Sequence, residues 1–161
     1  MARAGGRFVR SKPRYRLALT VQYAAENDGL PTRSQLRAWV KAALQRDADV
    51  TVRLVGAKEG RALNRQYRGK DHATNVLTFA YPDTDPLSGD IVLCVPIVER
   101  EARAQRKIPQ THYAHLVVHG ILHLQGYDHE KAGDARFMET LETEIVTGLG
   151  YADPYKNKDE G

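Results

Sequence analysis

The chain has 161 residues, 42% of them hydrophobic and 27% charged, and its 24 basic against 20 acidic side chains give a formal net charge of +4. This is the composition of one ordinary globular domain with a single core, and no apolar run approaches the ~18 residues a membrane span needs. Cys94 is the only cysteine and lies inside the apolar run IVLCV, which excludes a disulfide framework and a cysteine-rich zinc site and suits a reducing cytosol.

Residues 1–16 form a basic arm, with Arg3, Arg7, Arg10, Lys12, Arg14 and Arg16 and no acid before Glu26. The arm reads as a solvated, flexible terminus, although clustered positive charge of this kind can also track phosphates. It lacks the apolar stretch of a secretory signal, while its Arg-rich, acid-free composition overlaps with that of a transit peptide. Leu17, Leu19, Val21 and Tyr23 then alternate as in a half-buried strand, which Asn27-Asp28-Gly29 breaks. Thr32 with Gln35 makes a capping box for a helix whose apolar stripe is Leu36, Trp39, Val40, Ala43 and Leu44. Val50, Val52 and Leu54 predict a second strand, and residues 57–67 a helix ending before Gly69. Residues 74–81 and 91–95 are β-rich runs, predicted to pair as neighbours across a turn spanning residues 82–89. From Pro96 onward the pattern is helical, with breaks near Pro109, Gly126 and Gly150, and Phe137, Met138, Leu141, Ile145 and Leu149 mark the last apolar face. The resulting expectation is an α+β domain over residues 17–155, with a mixed sheet of about four strands packed with helices, and a short tail from residue 156.

The chemistry concentrates in His119-Gly120-Ile121-Leu122-His123-Leu124-Gln125-Gly126-Tyr127-Asp128-His129. His119 and His123 stand four apart in a helical segment, so both imidazoles leave one face about a turn apart, close enough to share an ion. Gly126 can adopt the left-handed backbone that ends a helix and turn the chain so that His129 returns to the same point. Three imidazoles suit one divalent ion of the zinc type, and with no cysteine nearby a fourth position stays open for water, as catalysis requires. A histidine pair alone is more often ordinary surface or core. The glycine turn and the third histidine shift that balance. His115 lies one turn before His119 and reads as support or packing, and His112 and His72 as ordinary surface residues. Asp128 offers an acceptor for an imidazole N–H, but an acid beside a turn needs no such role.

These motifs carry a resemblance. HGILHLQGYDH resembles the signature of the YbeY family of endoribonuclease rRNA maturation factors, and LNRQYRGKD with TNVLTF, Gly89-Asp90-Ile91 and the tail from Leu141-Glu142 to Tyr155 resemble further blocks of that family. The resemblance implies a zincin-like α+β fold, a zinc-type ion on His119, His123 and His129, and an important arginine at Arg68. It further implies single-stranded and ribosomal RNA as substrate, the small ribosomal subunit as partner, maturation of the small-subunit RNA 3′ end, ribosome quality control and a cytoplasmic location. The chain departs from the family at His72-Ala73, where Lys-Pro is frequent.

The residues themselves favour phosphodiester over peptide cleavage. In HExxH metallopeptidases a glutamate beside the first histidine is the general base, and Gly120 stands there instead. A peptidase would have to recruit Asp128 or Glu130. Phosphodiester cleavage leans harder on the metal and on a cation that shares the developing charge, and Arg68 is the candidate cation. Arg61, Arg65 and Arg68 fall on neighbouring positions of one predicted helix, a strip that either holds an RNA backbone or is simply solvated. No RRM or KH pattern is present. A non-catalytic ribosome assembly factor with a structural metal is the competing reading, and an open or closed fourth ligand position separates the two.

Overall fold

The structure is a computed structural model and describes residues 14–127 and 132–156. Residues 1–13, most of the basic arm, and residues 128–131, which include Asp128, His129 and Glu130, lie outside the described residues. Four strands, β1 (Leu17–Ala24), β2 (Ala48–Val55), β3 (Val76–Tyr81) and β4 (Leu87–Cys94), and five helices, α1 (Arg33–Ala43), α2 (Ala57–Arg68), α3 (Val95–Ala104), α4 (Pro109–Leu124) and α5 (Ala132–Gly148), make an α+β domain.

The sheet is mixed, in the order β1-β2-β4-β3. β1, β2 and β4 run parallel, with Leu17 opposite Ala48 and Ala48 opposite Leu87, whereas β3 closes the edge antiparallel to β4, with Val76 opposite Leu93. Because side chains alternate across the pleat, the sheet has two apolar faces. Val50, Val52, Leu54, Ile91 and Leu93 pack with α1, α4 and α5 in the main core. Leu77, Val92 and Cys94 form a smaller cluster on the other side, covered by Leu63 of α2 and Ile97 of α3.

Local signals account for the element ends. The Thr32 side chain accepts from the Gln35 backbone N–H while the Gln35 side chain accepts from the Thr32 N–H, a complete capping box. Gly69 ends α2 with φ 71°, in the left-handed region that a side chain would disfavour. α4 stops in a Schellman motif, in which the Tyr127 N–H reaches the Leu122 carbonyl and the Gly126 N–H that of His123, with Gly126 at φ 102°.

Three expectations need correction. β4 begins at Leu87, so residues 87–89, predicted as turn, are strand. Gly89 misleads because it serves packing: a Cβ there would lie 2.8 Å from Leu124 Cδ2 and 3.0 Å from the Phe79 carbonyl oxygen, so any side chain would push the Leu124 side chain aside. His112 is buried at 4% exposure, since α3 covers its side of α4 and supplies a carboxylate to meet it. Phe137, assigned to the apolar face of the last helix, is 57% exposed and rests beside the Tyr127 ring, and Val146 takes a buried place on α5 instead.

Candidate active site

α4 is the central helix, and a row of four imidazoles runs along it. His112, His115, His119 and His123 stand three or four residues apart, and their ring centroids are separated by 6.4, 6.4 and 6.5 Å in turn. The row passes from core to solvent: His112 and His115 are enclosed, His119 keeps 26% of its side chain exposed, and His123 is exposed. His119 and His123 lie almost parallel, at 2° between ring planes.

α5 backs this row with Glu142, which is 1% exposed. Its Oε2 accepts from His119 Nδ1 at 2.6 Å, and its Oε1 accepts from His115 Nε2 at 2.8 Å and from the Tyr155 hydroxyl. Burial pushes the Glu142 carboxyl up, but the hydrogen bonds from His115, His119 and Tyr155 outweigh it and hold the group at about 2. An ionised carboxylate can only accept, so His119 carries its proton on Nδ1 and its lone pair on Nε2. Burial, then the Glu142 charge, pushes the Tyr155 hydroxyl up, so it stays a donor. Deeper in, His112 Nε2 donates to Glu101 Oε1 at 2.8 Å, which also accepts from Asn75 Nδ2 at 3.0 Å. Burial lowers the His112 imidazole, with Glu101 opposing only in part.

Opposite the histidines stands the end of α2. Arg68 is exposed, and among the described residues no carboxylate lies within ion-pair distance of it. Its neighbours on the strip are differently engaged: Arg61 grips Asp71 with two hydrogen bonds of 2.8 and 3.0 Å, and Arg65 approaches the same carboxylate at 3.9 Å. Arg61 thereby holds Asp71 below the usual carboxylate range. The chain returns from Gly69 to β3 in a loop fastened by buried Asn64, whose Nδ2 donates to the His72 carbonyl at 2.6 Å. His72 itself is exposed.

Between these walls lies a cleft of about 570 Å³, bounded by Tyr67 and Arg68 of α2, residues 74–79 along the edge strand, and His119 and His123. The fold thus brings Arg68, His119 and His123 to one cavity. Among the described residues no group of three His, Cys, Asp or Glu side chains forms a metal cluster, and His129 lies outside them. The donor chemistry nonetheless fits a divalent ion. A histidine whose second nitrogen is hydrogen-bonded to a carboxylate is the usual form of an imidazole ligand. Gly120 is packed on the sheet such that a Cβ would stand 3.2 Å from both Ile91 Cδ1 and Thr78 Cγ2. The place where an HExxH helix carries its glutamate is therefore filled by β3 and β4.

Sequence pattern does not single out Glu142, although a signal exists. It sits four residues from both Met138 and Val146, buried apolar residues of α5, so an acid occupies a core register and must meet buried partners.

A mixed sheet whose open edge strand faces a central helix bearing a histidine pair, one member held by a buried carboxylate, defines a class of α+β proteins with a cleft between edge strand and helix. Within that class, the chain belongs to the endoribonuclease YbeY family, whose family model matches residues 22–150. It is 57% identical over 145 residues to the endoribonuclease YbeY of Cupriavidus metallidurans, covering 87% of this chain and 74% of the relative. It is 58% identical over 137 residues to that of Nitrosomonas eutropha, covering 85% and 97%, and 60% identical over 143 residues to that of Aromatoleum aromaticum, covering 87% and 93%. The solution structure of TM1509 from Thermotoga maritima superposes with a TM-score of 0.53 at 32% identity, covering 88% of this chain and 99% of that one.

Proposed function

We propose that this chain is a metal-dependent endoribonuclease that cuts single-stranded RNA, acting in the cytoplasm on the small ribosomal subunit to mature the 3′ end of its RNA and in ribosome quality control. The observation that carries the reading is the single cleft with His119 and His123 on one wall and Arg68 on the other. Family membership supports RNA as the substrate, since the relatives are named endoribonucleases. His119, His123 and His129 hold one divalent ion of the zinc type. When bound, the ion supplies an activated water and neutralises charge on the phosphoryl oxygens.

The remaining work falls to this chain's own side chains. Glu142 fixes His119 in the tautomer whose Nε2 is a donor of electrons to a cation. Arg68 grips two oxygens of the phosphate under attack and shares its developing charge, a task for which the planar guanidinium fork suits better than an ammonium. Single strands are preferred because an unpaired backbone bends into a cleft that a duplex cannot enter.

The test combines elemental analysis with cleavage of labelled single-stranded RNA. Wild type should carry about one ion per chain, and His119→Ala or His123→Ala should lose it. Arg68→Ala should keep ion and fold but cut ~10² to 10³ more slowly, the usual loss on deleting one charge-stabilising donor, with Arg68→Lys recovering only part. Unchanged cutting by Arg68→Ala removes that residue from the mechanism. A metal-loaded wild type that cuts neither free nor ribosomal RNA hands the case to a non-catalytic assembly factor.

A further inference from the structure

Tyr67 is 58% exposed, a large aromatic ring left in solvent at the rim of the cleft beside Arg68. It is held in place without any partner molecule: its ring meets Phe79 in a T-shaped contact, centroids 5.0 Å apart and planes at 66°. Phe79 in turn is half-buried against the small core cluster under α2. Two residues further along β3, on the same face, Tyr81 is 49% exposed and its hydroxyl donates to Asp90. A row of aromatic faces therefore leads away from the cleft, beginning next to a guanidinium that no carboxylate among the described residues neutralises.

A lone exposed aromatic usually needs no explanation, and Tyr67 could act merely as a cover for Phe79. Its place argues otherwise. A ring held rigid before binding loses little conformational freedom when a flat ligand lies on it, and a cation beside it suits the phosphate to which such a ligand is attached. A nucleobase has both properties, a π-face and an adjoining phosphate.

Resting on the ribonuclease reading above, we propose that Tyr67, braced by Phe79, is a stacking platform for one unpaired base of the RNA, the base attached to the nucleotide next to the phosphate held at Arg68. Stacking takes any base and prefers the larger face, so the site favours a purine at that one position without reading its hydrogen-bonding edge. The platform fixes where along a single strand the cut falls, a role separate from the histidines and from Arg68.

The experiment walks a single abasic nucleotide through a labelled single-stranded RNA and measures KM and kcat at each position. For wild type, one position near the cut should raise KM by about 5- to 150-fold, the range that loss of one base–aromatic stack produces. Tyr67→Ala should raise KM on intact RNA by a similar factor and abolish the penalty at that position, whereas Tyr67→Phe should retain both. Tyr67→Trp adds a readout independent of cutting, because its indole emission should be quenched by intact RNA and not by the fully abasic strand. Equal KM for wild type and Tyr67→Ala on intact RNA, or an abasic penalty that persists in Tyr67→Ala, overturns the stacking site while leaving the nuclease reading in place. A wild type that neither binds nor cuts any RNA overturns both.

Discussion

Replacing Glu142 by glutamine changes one atom at the centre of a buried network, and its effect can be worked out from the partners. Oε2 accepts from His119 Nδ1, and Oε1 accepts from His115 Nε2 and the Tyr155 hydroxyl. A glutamine retains one acceptor and places an NH2 group against the other donor, so either two N–H groups face each other or His119 moves its proton to Nε2. The carboxyl is held at about 2 against an ordinary 4.5, which corresponds to about 3 kcal/mol of folding stability at neutral pH. Since the folded value lies below the unfolded one, this stability is fully present above about pH 5 and is lost as pH falls towards about 2. Urea unfolding of metal-stripped protein should therefore show Glu142→Gln about 2 to 3 kcal/mol less stable at pH 7. The gap to wild type should narrow by about 2 kcal/mol at pH 3 and close only as pH approaches 2. Competition with a chromophoric chelator should show divalent-ion affinity falling about 10- to 100-fold, the usual effect of losing the group that orients an imidazole ligand. Matching midpoints for the two proteins from pH 7 to pH 3 would refute the reasoning.

Two further outcomes test the scaffold. Gly120→Ala places a Cβ 3.2 Å from Ile91 and Thr78, a crowding cost of about 1 to 3 kcal/mol set against the ~1 kcal/mol that alanine gains over glycine inside a helix, so urea unfolding should show a net loss of up to about 2 kcal/mol; a gain in stability would show that β3 and β4 yield easily at this contact. Thr32→Ala removes half of the capping box of α1 and should lower stability by about 1 kcal/mol without altering ion affinity, and a loss of ion in that variant would show that this end of α1 is coupled to the histidine row.

Features encoded by neighbours in sequence were legible from sequence. The capping box at Thr32 and Gln35, the left-handed Gly69 and the alternation of β2 depend on residues a few positions apart, and the structure reproduces each. The pairing of β3 with β4 likewise follows from their short separation. What resisted prediction depends on distant contacts. Gly89 looks like a turn residue until Leu124, far along the chain, is seen lying on it. His112 looks like surface until α3 brings Glu101 to it, and Phe137 fits the helical period of α5 although no core lies beneath it. Glu142 is the same case at the site, because its meaning depends on two histidines of another helix and a tyrosine beyond the end of its own. The cleft shows this mixture. His119 and His123 announce themselves by spacing, while Arg68 and Tyr67 come to the same cleft through the packing of α2 on the sheet edge, where Tyr67 meets Phe79.

One helix serves both as the keystone of the core and as the bearer of the histidines. Besides His112, ten residues of α4 are buried around the sides that the imidazoles leave unused, from Thr111 to Leu124. An interior packed to crystal density does not slide by fractions of a turn, so the histidine row cannot be shifted or tilted without dismantling the protein. Any tuning of which strand is accepted, and how tightly, must come from parts that can change without touching the interior: the exposed residues 69–72 between α2 and β3, and the outward side chains of the edge strand. For engineering this is a division of labour, in which the histidine wall comes ready-made with the fold and variation is left to the opposite bank.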